Sequence, residues 1–155
     1  PRKNLAKLVE SLRDQRDLPP LVVAGATGWG DVAVEASDTV KFLGHVEDRL
    51  LSGLYAAASV MAYPSLWEGF GLPVLEAMAQ GTPVVTSELI STQEVAGGAA
   101  VLVDPRSAES IQHGIRMALA DKGNLSQRGL DRAAHATWSK TAQLTAAAYD
   151  EVIAQ

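Results

Sequence analysis

The sequence predicts an α/β fold, a Rossmann-like doubly wound parallel sheet with helices on both faces. Three observations carry this. Short apolar runs at about 21–24, 39–43, 59–63, 83–86 and 100–103 stop at or beside glycine or proline, and stretches with helical spacing alternate with them. Such runs mark strands buried on both faces, and parallel neighbours need crossover connections, usually helices. The chain has 155 residues, 47% hydrophobic and 20% charged, which suits one domain with a real core and excludes a disordered or fibrous protein. Residues 1–155 therefore read as a single domain.

Asn4 is placed to cap a helix on which Leu5, Leu8, Val9 and Leu12 form an apolar stripe, ending before Pro19-Pro20. Leu21 to Ala24 is the first strand and Thr39 to Leu43 the second, halted at Gly25 and Gly44. A helix over about 48–58 precedes a strand over 59–63, which Pro64 ends. Leu50 to Trp67 carries no charge over 18 residues, close to the ~20 of a bilayer span. Ser52, Gly53, Ser59, Pro64 and Ser65 interrupt it, so it reads as a soluble helix and strand. Pro73 near the start and Gly81 past the end bound a helix over about 72–80. Strands at 83–86 and 100–103 flank a turn or short helix near 91–95. From Ser107 the chain is helical, with Ile111, Ile115, Ala118 and Leu119 on one face, then a helix near 126–136 and a last one from Ser139.

Composition narrows the function. Thirteen basic against 18 acidic residues give a net charge of −5, with no excess for a nucleic-acid backbone or an anionic membrane. With no cysteine there is no disulfide, thiolate nucleophile or Cys-type zinc site, and His45, His113 and His135 leave little for a metal. The chain opens on Pro1 and reads as a piece of a longer protein.

In an open α/β sheet, ligands bind beyond the carboxyl ends of the strands. Three loops lie there. Gly25-Ala26-Thr27-Gly28-Trp29-Gly30 fails the dinucleotide fingerprint because position 27 is Thr and no long helix follows; it reads as a glycine-rich loop for close backbone approach. In Gly44-His45-Val46-Glu47-Asp48, the acids complement a helix N-terminus, and a lone His is a poor metal ligand. The third, Tyr63 to Ala79, joins a strand end, a loop with Gly69 and Gly71, and a helix start, an arrangement that binds anions through unpaired amides. Glu76 shares a helical face with Leu72, Leu75 and Ala79, expected to pack inward; a carboxylate there needs donors, either ribose hydroxyls or backbone amides. Glu68, a loop acid, either favours the helix dipole or serves the ligand.

The stretch PSLWEGFGLPVLEAMAQGTPVV, with Glu68 and Glu76 at its core, resembles the group 1 retaining glycosyltransferases of two-domain GT-B architecture, in their second, nucleotide-sugar-binding domain. The resemblance extends through RKNL at 2–5, LVVAG at 21–25, FLGHV at 42–46, STQEVAG at 91–97, LVDP at 102–105 and TWSK at 137–140. It implies one half of a GT-B fold, lacking its first strand and its amino-terminal, acceptor-binding domain, with 139–155 a terminal helix that docks on the absent domain. It assigns Glu76 to the ribose hydroxyls and Glu68 to the transferred sugar. Gly69, Phe70, Gly71 and Leu72 then meet the pyrophosphate and sugar, and Lys3 neutralises the departing diphosphate in place of a metal. Gly25 falls near the diphosphate and Val46 at the nucleobase. The family's arginine partner of Lys3 falls upstream of Pro1.

The implied function is transfer of a hexose, with mannose from GDP-mannose favoured, to an acceptor hydroxyl in bacterial polysaccharide or glycolipid assembly. The expected catalytic residues are Glu68 and Lys3, with no metal and no cofactor beyond the nucleotide sugar, and the isolated chain is expected to be inactive. The expected partners are the donor and the missing half of the protein, with no nucleic acid and membrane contact only through that half. The implied location is cytoplasmic, at the inner face of the membrane. The alternative is a non-catalytic nucleotide-sugar-binding or regulatory module of the same fold; a phosphorylase would need a pyridoxal lysine, for which none of the lysines has a context.

Overall fold

The computed structural model describes residues 2–25 and 36–154. Its elements run α1 (Leu5–Leu12), β1 (Leu21–Ala24), β2 (Val40–Gly44), α2 (Asp48–Ala57), β3 (Met61–Tyr63), α3 (Leu72–Ala79), β4 (Val84–Ser87), α4 (Ile90–Ala96), β5 (Val101–Val103), α5 (Ala108–Ala120), α6 (Lys122–Ala134) and α7 (Trp138–Ile153). All strand pairs are parallel, as the buried apolar runs predict. They form two sheets, β1-β2 and β3-β4-β5, and no ladder joins β1 to β3. Residues Ala26 to Gly30 of the glycine-rich loop fall outside the described residues.

β4 sits at the centre of its sheet, and all four of its residues are buried. Successive side chains point to opposite faces. Val85 accordingly joins a core of Leu8, Val103, Ile111, Ile115, Ala118 and Leu125, into which Leu21, Val60 and Ala62 also pack. Val84 joins the opposite core, with Val74, Ala77, Met78, Val95, Ala96 and Ala99. Helices α1 and α5 thus serve one face, and α3 and α4 the other, with α6 packed on α3.

Four local expectations need correction. Asn4 precedes α1 but does not cap it with its side chain; its backbone is left-handed (φ 59°) and its amide instead reaches across the fold. β1 is not buried on both faces, since its residues alternate and Val22 is exposed. The buried side of α3 is Val74, Ala77 and Met78, so Glu76, with Leu72 and Ala79, stands outside the core. A stripe that includes a carboxylate lost to one built from the apolar side chains of valine, alanine and methionine, which carry no charge to desolvate. Helix α6 begins at Lys122, earlier than its apolar spacing predicts.

The last helix carries no buried residue, and Trp138, Leu144, Tyr149, Val152 and Ile153 are exposed on it. No helix among the described residues is long and apolar enough to cross a membrane.

Gly114 lets α5 lie close on the sheet, because a Cβ there would stand 2.3 Å from Val103 Cγ1 and 3.3 Å from Val85 Cγ1. Alanine gains about 1 kcal/mol of helix propensity, but overpacking against stiff β-branched side chains costs ~1–3 kcal/mol or more. Gly114→Ala is therefore expected to lower the urea midpoint; an equal or higher midpoint contradicts this packing.

Candidate active site at the Glu68 loop

The loop from Tyr63 to Gly71 leaves the carboxyl end of β3 and enters α3. Its carbonyls are pinned from the neighbouring chain by hydroxyls: Thr86 donates to Tyr63 O (3.1 Å), Ser87 to Ser65 O (2.6 Å) and Ser91 to Glu68 O (2.9 Å). Thr92 in turn donates to Ser87 O (2.6 Å). Beyond this anchored part, the amides of Gly69, Phe70, Gly71 and Leu72 donate no hydrogen bond to any described residue. Gly71, at the start of α3, adopts φ 104°, a conformation open to glycine. The amides without a partner among the described residues run up to the first residue of α3 and stop there, since Pro73 has none and Val74 N donates to Gly71 O (2.9 Å).

Glu68 is the charged centre. Its side chain is 5% exposed, and both carboxylate oxygens are held: Oε1 accepts from Lys3 Nζ (2.8 Å) and the Tyr63 hydroxyl (2.7 Å), Oε2 from Arg2 Nη1 (2.7 Å). Lys3 also donates to the Tyr63 hydroxyl. Arg2 and Lys3 remain about half exposed at 49% and 50%, with the Arg2 guanidinium 6.0 Å from the Trp67 ring centroid. Burial pushes the Glu68 pKa up, but the hydrogen bonds from Lys3 and Tyr63 outweigh it and hold the carboxyl below its ordinary value. Two cations against one carboxylate leave net positive charge beside four unpaired amides, within a chain that is acidic overall.

The segment that carries both cations is fixed by polar contacts to the sheet ends. The Leu66 amide donates to Arg2 O (2.9 Å), and Asn4 Nδ2 donates to Pro64 O (3.0 Å) and Pro105 O (2.6 Å).

Glu76 lies apart from this cluster, in a groove of about 470 Å³ between α2 and α3 lined also by Asp48, Leu51, Ser52, Tyr55 and Gln80. It is exposed rather than turned inward, and it accepts a hydrogen bond from the Tyr55 hydroxyl (3.1 Å). The volume falls in the range of small-molecule sites. A second hollow of about 310 Å³ lies between α4 and α6, where Arg132 donates to Val95 O (2.8 Å) and Glu94 O (2.9 Å) and so serves a helix end.

Of the residues singled out from sequence, the structure brings Lys3 and Glu68 into contact and sets Gly69 to Leu72 directly after them. Gly25 ends β1 with φ 128°, and Val46 lies half-buried between β2 and α2. No hydrogen bond joins either to the Glu68 cluster among the described residues. Glu47 pairs with Arg49, Asp48 occupies the first turn of α2, and His45 is exposed. Sequence reasoning missed Arg2, Tyr63 and Tyr55. The signal for Tyr63 was an aromatic hydroxyl at the carboxyl end of a buried strand, and for Arg2 a second cation beside Lys3.

Because the folded-state pKa of Glu68 lies below its ordinary 4.5, its contribution to stability is present above that value and is lost as pH falls through the folded-state pKa. Glu68→Gln is expected to lower stability at neutral pH and to weaken the decline on acidification. Urea midpoints at about pH 7 and about pH 3.5 measure both; an unchanged acid dependence contradicts the assigned ion cluster.

Comparison with known proteins gives the site a context. The model for the family of group 1 glycosyl transferases matches residues 1–136. The chain is 36% identical to an O-antigen chain mannosyltransferase B of Escherichia coli over 96% of its own length and 43% of that protein's. It is 33% identical to the MMP alpha-(1->4)-mannosyltransferase of Mycolicibacterium hassiacum, over 98% of the chain and 40% of the relative. Among solved structures, sucrose-phosphate synthase of Thermosynechococcus elongatus superposes with a TM-score of 0.81 at 28% identity, over 99% of this chain and 43% of that one. HepE of Anabaena, determined with UDP-glucose, shares the fold at a TM-score of 0.71 and 22% identity, over 86% of this chain and 40% of its own. The chain thus spans less than half the length of these proteins. On the family match and these relatives together, it belongs to the group 1 glycosyltransferases, with the fold of the C-terminal-type half of the GT-B architecture.

Proposed function

We propose that the chain is the donor-binding half of a retaining glycosyltransferase that moves a hexose from a nucleoside diphosphate to an acceptor hydroxyl. The observation that carries this reading is the buried Glu68 carboxylate between two half-exposed cations, next to four unpaired amides. An ammonium has three donors, and Lys3 uses two, on Glu68 and Tyr63, leaving one for a phosphate oxygen. Arg2 likewise keeps guanidinium donors free. With the amides of Gly69, Phe70, Gly71 and Leu72, these groups suit a diphosphate and supply the charge stabilisation that a metal supplies elsewhere.

In the reaction, the bond from the anomeric carbon to the diphosphate oxygen breaks and its electron pair leaves with the diphosphate. The acceptor oxygen bonds to the same face of that carbon and gives its proton to the departing phosphate oxygen. Positive charge develops at the anomeric carbon in between, and Glu68, ionised at neutral pH, stabilises it and accepts hydrogen bonds from the sugar hydroxyls. Glu76 takes the ribose hydroxyls in the groove beside Tyr55, while Gly25 lies by the diphosphate and Val46 by the base.

Relatives named mannosyltransferases support mannose as the sugar and GDP-mannose as the donor. Their greater length supports a second domain that binds the acceptor, on which the exposed face of α7 docks. The reaction takes place in the cytoplasm, with membrane contact through that second domain.

Calorimetry with GDP, UDP and ADP tests the donor site. Weak binding is expected, strongest for GDP, with at least about tenfold loss in Glu76→Ala, since the ribose hydroxyls would lose a charged acceptor. No heat with any of the three, or no loss in the variant, overturns the reading. Sugar transfer is expected from the full-length protein and not from this chain alone; a full-length protein that binds donor without turnover points to the non-catalytic module.

A further inference from the structure

We propose that Tyr63 is a positioning residue of this site, its hydroxyl fixing the direction in which the Glu68 carboxylate faces the sugar. The inference rests on the reading of Glu68 as the carboxylate beside the transferred sugar. Tyr63 is the last residue of β3, so its ring is rooted in the sheet while its hydroxyl reaches the loop.

The polarity of the contact is set by chemistry. An ammonium has no lone pair, so Lys3 donates to the phenol oxygen, and the single phenol hydrogen goes to Glu68 Oε1 (2.7 Å). Lys3 Nζ stands 4.3 Å from the Tyr63 ring centroid, at the hydroxyl edge of the ring. Oε1 is then fixed by two donors and Oε2 by Arg2, and the carboxylate cannot rotate without breaking three charge-assisted bonds.

The groups facing Glu68 come from each neighbouring element. Arg2 and Lys3 precede α1, Tyr63 ends β3, and the buried Ser65 hydroxyl, which helps lower the Glu68 pKa while closing no hydrogen bond of normal geometry, belongs to the loop. Ser91 of α4 reaches the Glu68 carbonyl and not its carboxylate. Burial, and then the bond to Glu68, push the Tyr63 phenol well above its ordinary range, so it stays protonated and keeps donating.

Tyr63→Phe removes the hydroxyl while keeping the ring. In the chain labelled with carbon-13 at glutamate carboxyls, NMR titration is expected to show Glu68 displaced upward in the variant, because the carboxylate loses a donor; an unmoved titration overturns the proposal. In the full-length protein, kcat is expected to fall about tenfold with donor KM changed less than about threefold, and the acidic limb of the rate profile to move upward. A merely structural role would lower thermal stability and leave that limb in place. Wild-type kcat and acid limb in Tyr63→Phe overturn the inference while leaving transfer intact, whereas a wild-type protein that transfers no sugar overturns the proposed function and leaves the Glu68 titration to judge the contact.

Discussion

A carboxylate taken out of water costs several kcal/mol unless its oxygens find donors. Glu68 finds three, from Arg2, Lys3 and Tyr63, and this requirement ties together parts of the chain more than sixty residues apart. The segment before α1 must lie across the carboxyl end of β3 to deliver both cations. Asn4 makes that path possible by taking a left-handed backbone and spending its side chain on Pro64 and Pro105 carbonyls. Removing any one donor leaves the rest of the cluster with a buried charge less well compensated, so site and chain path stand or fall together.

The loop that carries Glu68 is firm on one side and open on the other. Hydroxyls of Thr86, Ser87 and Ser91 occupy its carbonyls, which satisfies buried acceptors and places the loop in register with β4 and α4. Among the described residues its later amides have no partners. The excess positive charge of Arg2 and Lys3 over Glu68 lies beside them.

Much of this was legible in the residues. The strands at Leu21, Val40 and Val84 and the extent of the helix between Pro73 and Gly81 follow from apolar runs and from punctuation by proline and glycine, and at Val84 local chemistry and tertiary burial agree fully. The loop of Gly69 to Leu72 was legible as a glycine-bearing turn into a helix, because glycine and proline punctuate the sequence there. Two things were not. Helical spacing placed Glu76 on an inward stripe, but a helix can bury either of two adjacent faces, and the choice went to Val74, Ala77 and Met78 by packing against α6 and β4. The partners of Glu68 were hidden because ion pairing across sixty residues leaves no periodic trace; Arg2 reads as one more surface cation until the fold carries it to the acid.

The division of the strands into two ladders has a consequence for Gly25 and Val46, which follow β1 and β2, while Glu68 follows β3. Leu21 of β1, Ala62 of β3, Val85 of β4 and the adjoining Leu8 and Val60 share one apolar core that spans both sheets. Such contacts are non-directional, unlike a backbone ladder, whose register is fixed residue by residue. The separation between the loop after β2 and the loop after β3 is thereby governed by interior side-chain volume, so exchanges among these five buried or half-buried positions shift one loop against the other without altering a residue of the Glu68 cluster.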